Sequence, residues 1–315
     1  MIVVCERCES RLKLDEKRLT SSIKSVSVRC PSCKHSFTIL LPDRVQETPS
    51  ANQPESKSPT RTGTTIVITN QKGGVAKTST CLNLGLSLAL LEKRVLLIDF
   101  DVQANLTISM GYQNTTSFYN ILNSGNRELD AALIQTSYPG LWLLPSNKNM
   151  VLLSKKYFGK NDYEYILNKQ LSLVKERFDY IIIDTPPSIE FFTINALTTS
   201  DLAIIPTQCD YLSTHGVDQV LNIIDLIRKK TNPALDARVL VTMYDETATA
   251  SRMIFTKLKN LHPERIYQTV IPQDERLREA QIMSMPVLNY DQKSSSGLQY
   301  MALAREIMGL SLKNR

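Results

Sequence analysis

Residues 64–80 read Thr64-Thr65-Ile66-Val67-Ile68-Thr69-Asn70-Gln71-Lys72-Gly73-Gly74-Val75-Ala76-Lys77-Thr78-Ser79-Thr80, and the order of residue types in this stretch decides the fold. A β-branched run, a glycine pair, a Lys-Thr pair and an apolar stretch of helical spacing follow one another, so the chain passes from strand to loop to helix. Glycines let backbone N–H groups curl around phosphate oxygens, and the helix start adds its positive end. In that frame Gly73, Gly74, Val75, Ala76, Lys77, Thr78 and Ser79 form a cradle for the phosphates of a nucleotide. Lys77 reaches the β- and γ-phosphates and Thr78 ligates Mg²⁺. The competing reading, a Gly-rich turn that binds nothing, leaves the Lys-Thr pair and its strand-loop-helix context without a purpose.

Outward from this stretch, short β-branched runs alternate with longer apolar-patterned segments. Residues 64–69, 94–100, 141–144, 180–184, 202–206, 238–243 and 266–271 read as strands, several of them apolar on both faces. Residues 77–92, 194–199, 216–230, 250–261 and 297–308 read as helices. Parallel strands need crossover connections, so the expected architecture is α/β: a doubly wound, mostly parallel sheet with helices on both faces. Ligands in such folds sit at the carboxyl ends of the strands.

Upstream, residues 42–63 contain Pro42, Pro49, Pro54 and Pro59 among Ser, Thr, Gln and Glu, with Val45 the one large apolar side chain. Such a segment buries too little surface to offset its ordering entropy, and it reads as a disordered linker between units 1–41 and 64–315. The first unit carries Cys5-x-x-Cys8 and Cys30-x-x-Cys33. Four soft thiolates in two such pairs suit tetrahedral Zn²⁺, and a unit this small needs a staple to fold. A redox CxxC pair or another soft metal is the rival reading, and His35 is a possible substitute ligand. The unit resembles the small zinc ribbons at the N-termini of some bacterial regulatory proteins. Cys81 and Cys209 lie in apolar contexts and read as buried hydrophobes.

The chain has 315 residues and a net charge of +6, of which residues 1–41 supply +4 through eight Lys and Arg against four acids. Affinity of the large unit for an anionic polymer must therefore come from a local patch. Over residues 250–278 six cations, Arg252, Lys257, Lys259, Arg265, Arg276 and Arg278, face three acids. No run approaches the roughly 18 apolar residues of a membrane span, and the opening MIVVCERCES puts charge where a signal peptide needs apolar residues. A cytoplasmic protein is expected.

Lys72 at the head of the loop completes a pattern that resembles the deviant Walker A motif, KGGxxKT, of the ParA/MinD family of ATPases. Asp99-Phe100-Asp101-Val102-Gln103-Ala104-Asn105 is similar to the DxDPQGN segment of its ParA, or Soj-like, branch. Ile181-Ile182-Ile183-Asp184-Thr185-Pro186-Pro187 is similar to its Walker B. Ile271-Pro272, Arg276-Leu277-Arg278-Glu279-Ala280 and Pro286-Val287 are similar to its C-terminal signature.

The resemblance implies a Mg²⁺-dependent ATPase that dimerises around ATP. Lys72 would cross to the γ-phosphate held by a second subunit, Asp101 would position the attacking water, and Asp184, helped by Asp99, would hold the magnesium shell with Thr78. Pro206, Ile271 and Pro272 would lie near the adenine. It further implies sequence-independent DNA binding by the dimer, through Arg252, Lys257, Arg276 and Arg278, a partner protein that stimulates hydrolysis, association with the nucleoid, and the positioning of DNA or a large protein cargo. Membrane attachment, the habit of MinD-type relatives, is not expected, because the last helix reads as a core helix. A non-hydrolysing ATP switch or transcriptional regulator is the alternative. Three departures from the family pattern bear on it. Ala76 stands for a glycine and is expected at negative φ, while Val102 and Ala104 stand for Pro and Gly in the loop that carries Asp101, whose shape is expected to differ.

Overall fold

The computed structural model describes residues 2–4, 11–13, 25–40, 63–123, 129–211 and 213–313. Backbone contacts divide the chain into two units, Met1–Lys57 and Ser58–Arg315. The expected disordered linker over residues 42–63 and the ligands Cys5 and Cys8 lie outside the described residues, except for Gly63.

In the first unit β1 (Ile2–Val4) pairs antiparallel with β2 (Arg11–Lys13), and β3 (Ser25–Arg29) with β4 (Ser36–Leu40). The turn joining β3 to β4 carries the second CxxC pair. Lys34 N donates to Cys30 O and Cys30 N to His35 O, both at 2.8 Å, with Lys34 at φ 59°. This tight knuckle leaves Cys30 buried and Cys33 half-buried, close together on one bend.

The second unit is built on β5 (Thr64–Ile68), β6 (Val95–Asp99), β7 (Ile134–Gln135), β8 (Leu141–Leu144), β9 (Tyr180–Asp184), β10 (Leu202–Thr207) and β11 (Asp236–Val241). Their order in the sheet is β11-β10-β5-β9-β6-β8-β7, parallel throughout except for β7 against β8. The longer helices are α1 (Lys77–Leu90), α6 (Phe191–Thr199), α7 (Ser213–Lys230), α8 (Thr249–Leu261), α9 (Glu275–Ile282) and α11 (Ser295–Lys313). Short helices α2 (Asn105–Ser109), α3 (Phe118–Asn123), α4 (Val151–Tyr157), α5 (Ile166–Leu171) and α10 (Val287–Tyr290) fill the connections. No helix among the described residues is long and apolar enough to cross a membrane.

Strand side chains alternate between faces, so the apolar runs feed two cores. Val67, Ile98, Ile183 and Ile205 pack with α6 and α7 on one face. Ile66, Leu97, Ile182 and Ile204 pack with α1 and α11 on the other. Helix α1 lies close on the sheet at Gly85, where an added Cβ would fall 2.6 Å from a Leu97 methyl carbon. A side chain there would lift the helix that opens the phosphate loop.

One expected strand is not a regular one. Residues 266–271 run beside β11, with Tyr267 N donating to Val239 O and Ile271 N to Val241 O. Between these contacts the Glu306 carboxylate accepts from Gln268 N at 2.9 Å and Thr269 N at 3.0 Å, so a side chain of α11 takes the place of ladder partners.

Candidate nucleotide site

Strand register gathers the site. Ile68 pairs with Asp184, and Asp184 with Asp99, so the phosphate loop and two carboxylates leave the sheet in one row at its carboxyl edge. The neighbouring strand order, with β10 on one side of β5 and β9 on the other, is the point where such sheets open a crevice.

Within the loop, Gly74 has φ 73° and the ideal Cβ positions of Gly73 and Gly74 meet nothing within 4 Å, so the backbone turns over open space. The loop carbonyls are engaged by side chains: Lys77 Nζ donates to Asn70 O at 3.0 Å and Lys72 O at 2.9 Å, Gln208 Nε2 to Gly74 O at 2.7 Å, and Thr242 Oγ1 to Val75 O at 3.2 Å. Asn70 ties the base of the loop to β10, donating to Pro206 O at 2.8 Å and accepting from Lys72 N at 3.0 Å. These bonds fix four carbonyls of the loop and so hold its backbone in one conformation. Gln208 and Thr242 were not singled out by the sequence, where each reads as an ordinary strand-end polar residue.

Ala76 departs from its expected conformation. It lies at φ 66°, ψ 32°, in the left-handed region, and Ala104 lies at φ 55°, ψ 32°. Both alanines stand where the family pattern has glycine, and both keep the glycine conformation, against the steric cost of a Cβ. At these two positions the loop shape is kept by neighbouring hydrogen bonds rather than by a permissive residue.

Thr78 Oγ1 donates to Asp184 Oδ2 at 2.7 Å, while Asp184 Oδ1 is buried with no nitrogen or oxygen partner, the buried Cys81 thiol being its polar neighbour. Burial, and then the nearby Asp99 charge, push the Asp184 carboxyl up to about 8 despite the Thr78 bond and the Lys77 charge. Burial also raises Asp101, which Gln103 N and Lys77 partly restrain, and it lowers the Lys77 ammonium against the pull of Asp184 and Asp101. Two buried acidic groups, Asp184 and Asp101, thus act on the one ammonium of Lys77 with Asp99 beside Asp184, and a hard cation next to Asp184 Oδ1 would favour their charged forms. The donor set of Thr78 hydroxyl and Asp184 carboxylate fits Mg²⁺, which keeps several waters and uses few protein ligands.

Asp99 plays a part beyond the one expected. It is fully buried, its Oδ2 accepting from Thr107 N at 2.8 Å and Thr107 Oγ1 at 2.6 Å, and its Oδ1 from Asp101 N at 3.2 Å. Burial raises it to about 6, offset in part by those bonds. Both oxygens accept hydrogen bonds from the segment that follows, so Asp99 braces the loop of Asp101 in addition to any part it takes in a magnesium shell.

Other expected residues are placed less directly. Ser79 Oγ accepts from Gln281 Nε2 at 2.5 Å, linking α1 to α9. Ile271 is 1% exposed and packs in the core, Pro206 is buried within β10, and Pro272 is half-buried. The four cations expected at DNA are all exposed, and three of them make local bonds. The Arg252 guanidinium donates to Glu246 O and Thr247 O, Arg276 pairs with Glu279 at 2.8 Å and Arg278 with Glu275 at 2.9 Å, while Lys257 is exposed on α8.

Loop, carboxylate row and sheet order together define a P-loop nucleotide-binding protein of the doubly wound α/β class. A family described as an AAA domain matches residues 63–237, and a zinc-ribbon domain family matches residues 1–38. The sporulation initiation inhibitor protein Soj of Bacillus subtilis is 38% identical over 249 residues, 78% of this chain and 98% of that protein. The chromosome partitioning protein ParA of Caulobacter vibrioides is 34% identical over 249 residues, 77% of this chain and 93% of that protein. A crystal structure described as cobyrinic acid a,c-diamide synthase from Mycobacterium smegmatis, with bound ADP and magnesium, superposes with a TM-score of 0.70 at 31% identity, covering 80% of this chain and 97% of that one. The chain belongs to the ParA/Soj branch of the ParA/MinD family and carries an N-terminal zinc-ribbon-like unit.

Proposed function

We propose that the protein is a Mg²⁺-dependent ATPase whose ATP-bound form is a homodimer that binds DNA without sequence preference and positions or segregates DNA or a large protein cargo in the cytoplasm, on the nucleoid. The observation that carries this reading is the Thr78–Asp184 pair, whose buried Oδ1 has no nitrogen or oxygen partner, set beside the loop that Lys77 closes. A phosphate-binding turn alone would not need a buried carboxylate held in this way.

In hydrolysis a water attacks the γ-phosphorus, the bond to the β–γ bridging oxygen breaks, and ADP and inorganic phosphate result. Loop amides and Lys77 hold the phosphates, and Asp101 orients the water. Lys72 leaves its own subunit to stabilise charge on the transferring group of a second one, in the manner of an arginine finger. Thr78 and the Asp184 carboxylate would hold Mg²⁺, which would supply neutralisation of the phosphate charge. The Cys30–Cys33 knuckle, completed by Cys5 and Cys8, holds a structural Zn²⁺, and the ribbon serves as a docking module for a protein partner.

Lys77→Ala tests the phosphate cradle. Loss of the ammonium removes its contacts to phosphate and also frees Asn70 O and Lys72 O, so ATP affinity should fall by about 100-fold or more, in line with roughly 3 kcal/mol for a charge-assisted site. Unchanged affinity and turnover would remove the cradle. In the unaltered protein, ATP binding without turnover, even with DNA and a partner protein present, would favour the switch reading over the enzyme.

A further inference from the structure

The loop that carries Asp101 lacks the proline and glycine of its family pattern, yet the backbone of Asp101 is held on both sides. Two residues after the end of β8, Ser146 is 2% exposed and its Oγ donates to Asp101 O at 2.5 Å. The same carbonyl accepts from Ala104 N at 3.0 Å. Ser146 N donates to Thr107 Oγ1 at 2.9 Å, and that hydroxyl donates onward to Asp99 Oδ2 at 2.6 Å. Asp99 closes the circuit by accepting from Asp101 N at 3.2 Å. Asp101 is thereby pinned at both its backbone N–H and its carbonyl, and Gln103 N holds its Oδ1 at 2.9 Å.

Ser146 is itself fixed from outside the site. β8 runs beside β6, with Leu144 paired to Ile98, so the two strand exits are neighbours. The next residue, Asn147, anchors the segment by donating from Nδ2 to Thr115 O at 3.0 Å and accepting from Asn149 N at 3.0 Å. A rigid strand exit therefore presents a hydroxyl to the backbone of a loop whose own sequence does not dictate its shape. A buried network with all members satisfied specifies one geometry.

We propose that Ser146 is the positioning residue that sets Asp101 for the attack of water, its hydroxyl holding the Asp101 carbonyl directly and its backbone N–H reaching the same loop through Thr107 and Asp99. It touches neither the phosphate loop nor the magnesium pair in the hydrogen-bond network described above. This inference rests on the reading of Asp101 as the group that orients the water. Removal of the hydroxyl leaves the Asp101 carbonyl its bond from Ala104, so the fold tolerates the change while the loop gains freedom. A misplacement of about 1 Å at a reacting group costs on the order of 100-fold in rate.

The test uses the full-length protein with ATP and Mg²⁺. Single-turnover hydrolysis is measured beside the affinity for a fluorescent ATP analogue, for Ser146→Ala, Ser146→Thr, Thr107→Val and Asp101→Ala. Ser146→Ala and Thr107→Val are expected to slow hydrolysis by about 10- to 100-fold with affinity altered less than about threefold, and Ser146→Thr, which keeps the hydroxyl, to recover most of the rate. Wild-type hydrolysis in Ser146→Ala, with Asp101→Ala inactive, overturns the role of Ser146 alone. So does a parallel loss of affinity and rate. Wild-type hydrolysis in Asp101→Ala overturns the underlying reading and this inference with it.

Discussion

Lys72 Nζ forms an ion pair with Asp210 of its own chain, joining the phosphate loop to the turn that begins α7. Asp210 Oδ1 also accepts from Ser213 Oγ at 2.9 Å, which fixes the carboxylate at the helix start. The lysine proposed to reach a second subunit is thus held within the first. The side chains of Lys72 and Asp210 are 43% and 37% exposed, so the pair is worth at most about 1 kcal/mol and releases easily.

Asp210→Asn keeps an acceptor for Ser213 but removes the charge that detains Lys72. With a slowly hydrolysed ATP analogue, the dimer should tighten by up to about 30-fold, the equivalent of roughly 2 kcal/mol because both copies lose the pair, as read by analytical ultracentrifugation. A weaker dimer would mean that Asp210 acts across the interface instead.

Much of this site was legible because its chemistry is local in sequence. Lys72, Lys77 and Thr78 lie within seven residues, and Asp184 ends an apolar strand whose register the sheet dictates. What escaped reading is held by long-range contacts. Gln208 and Thr242 reach the loop from 134 and 167 residues away, and the role of Asp99 depends on Thr107 folding back onto it. Residues 266–271 have strand composition, but Glu306 on a distant helix takes two of their amides. The positive φ of Ala76 runs against residue preference because other side chains impose the shape of the loop.

Ala76→Gly measures the strain in that loop. A left-handed alanine costs about 1–2 kcal/mol, while glycine loses about 0.5–1 kcal/mol in extra unfolded-state freedom, so a net gain of up to about 1 kcal/mol is expected. For a unit of this size thermal unfolding should rise by about 2–4 °C. A fall in melting temperature would show that Ala76 is relaxed where it stands.

Asp274 caps two helices at once, and acid should reveal it. Its Oδ1 accepts from Arg276 N at 2.9 Å at the start of α9, and its Oδ2 accepts from Ser294 Oγ at 2.7 Å, Ser295 Oγ at 3.1 Å and Ser296 N at 3.0 Å at the start of α11. Burial pushes its carboxyl up, but these bonds outweigh that and hold it at about 2, below the ordinary value of 3.8. The carboxylate therefore binds its proton less readily folded than unfolded. Its stabilisation is complete above the unfolded pKa and fades as pH falls through about 2. At about 1 kcal/mol for each cap, Asp274→Ala should cost roughly 2 kcal/mol at neutral pH. Urea unfolding of both proteins between pH 7 and pH 2 checks the sign: the gap should hold constant down to about pH 4 and narrow below it. A gap that widens on acidification would show that the neutral carboxyl, rather than the carboxylate, joins α9 to α11.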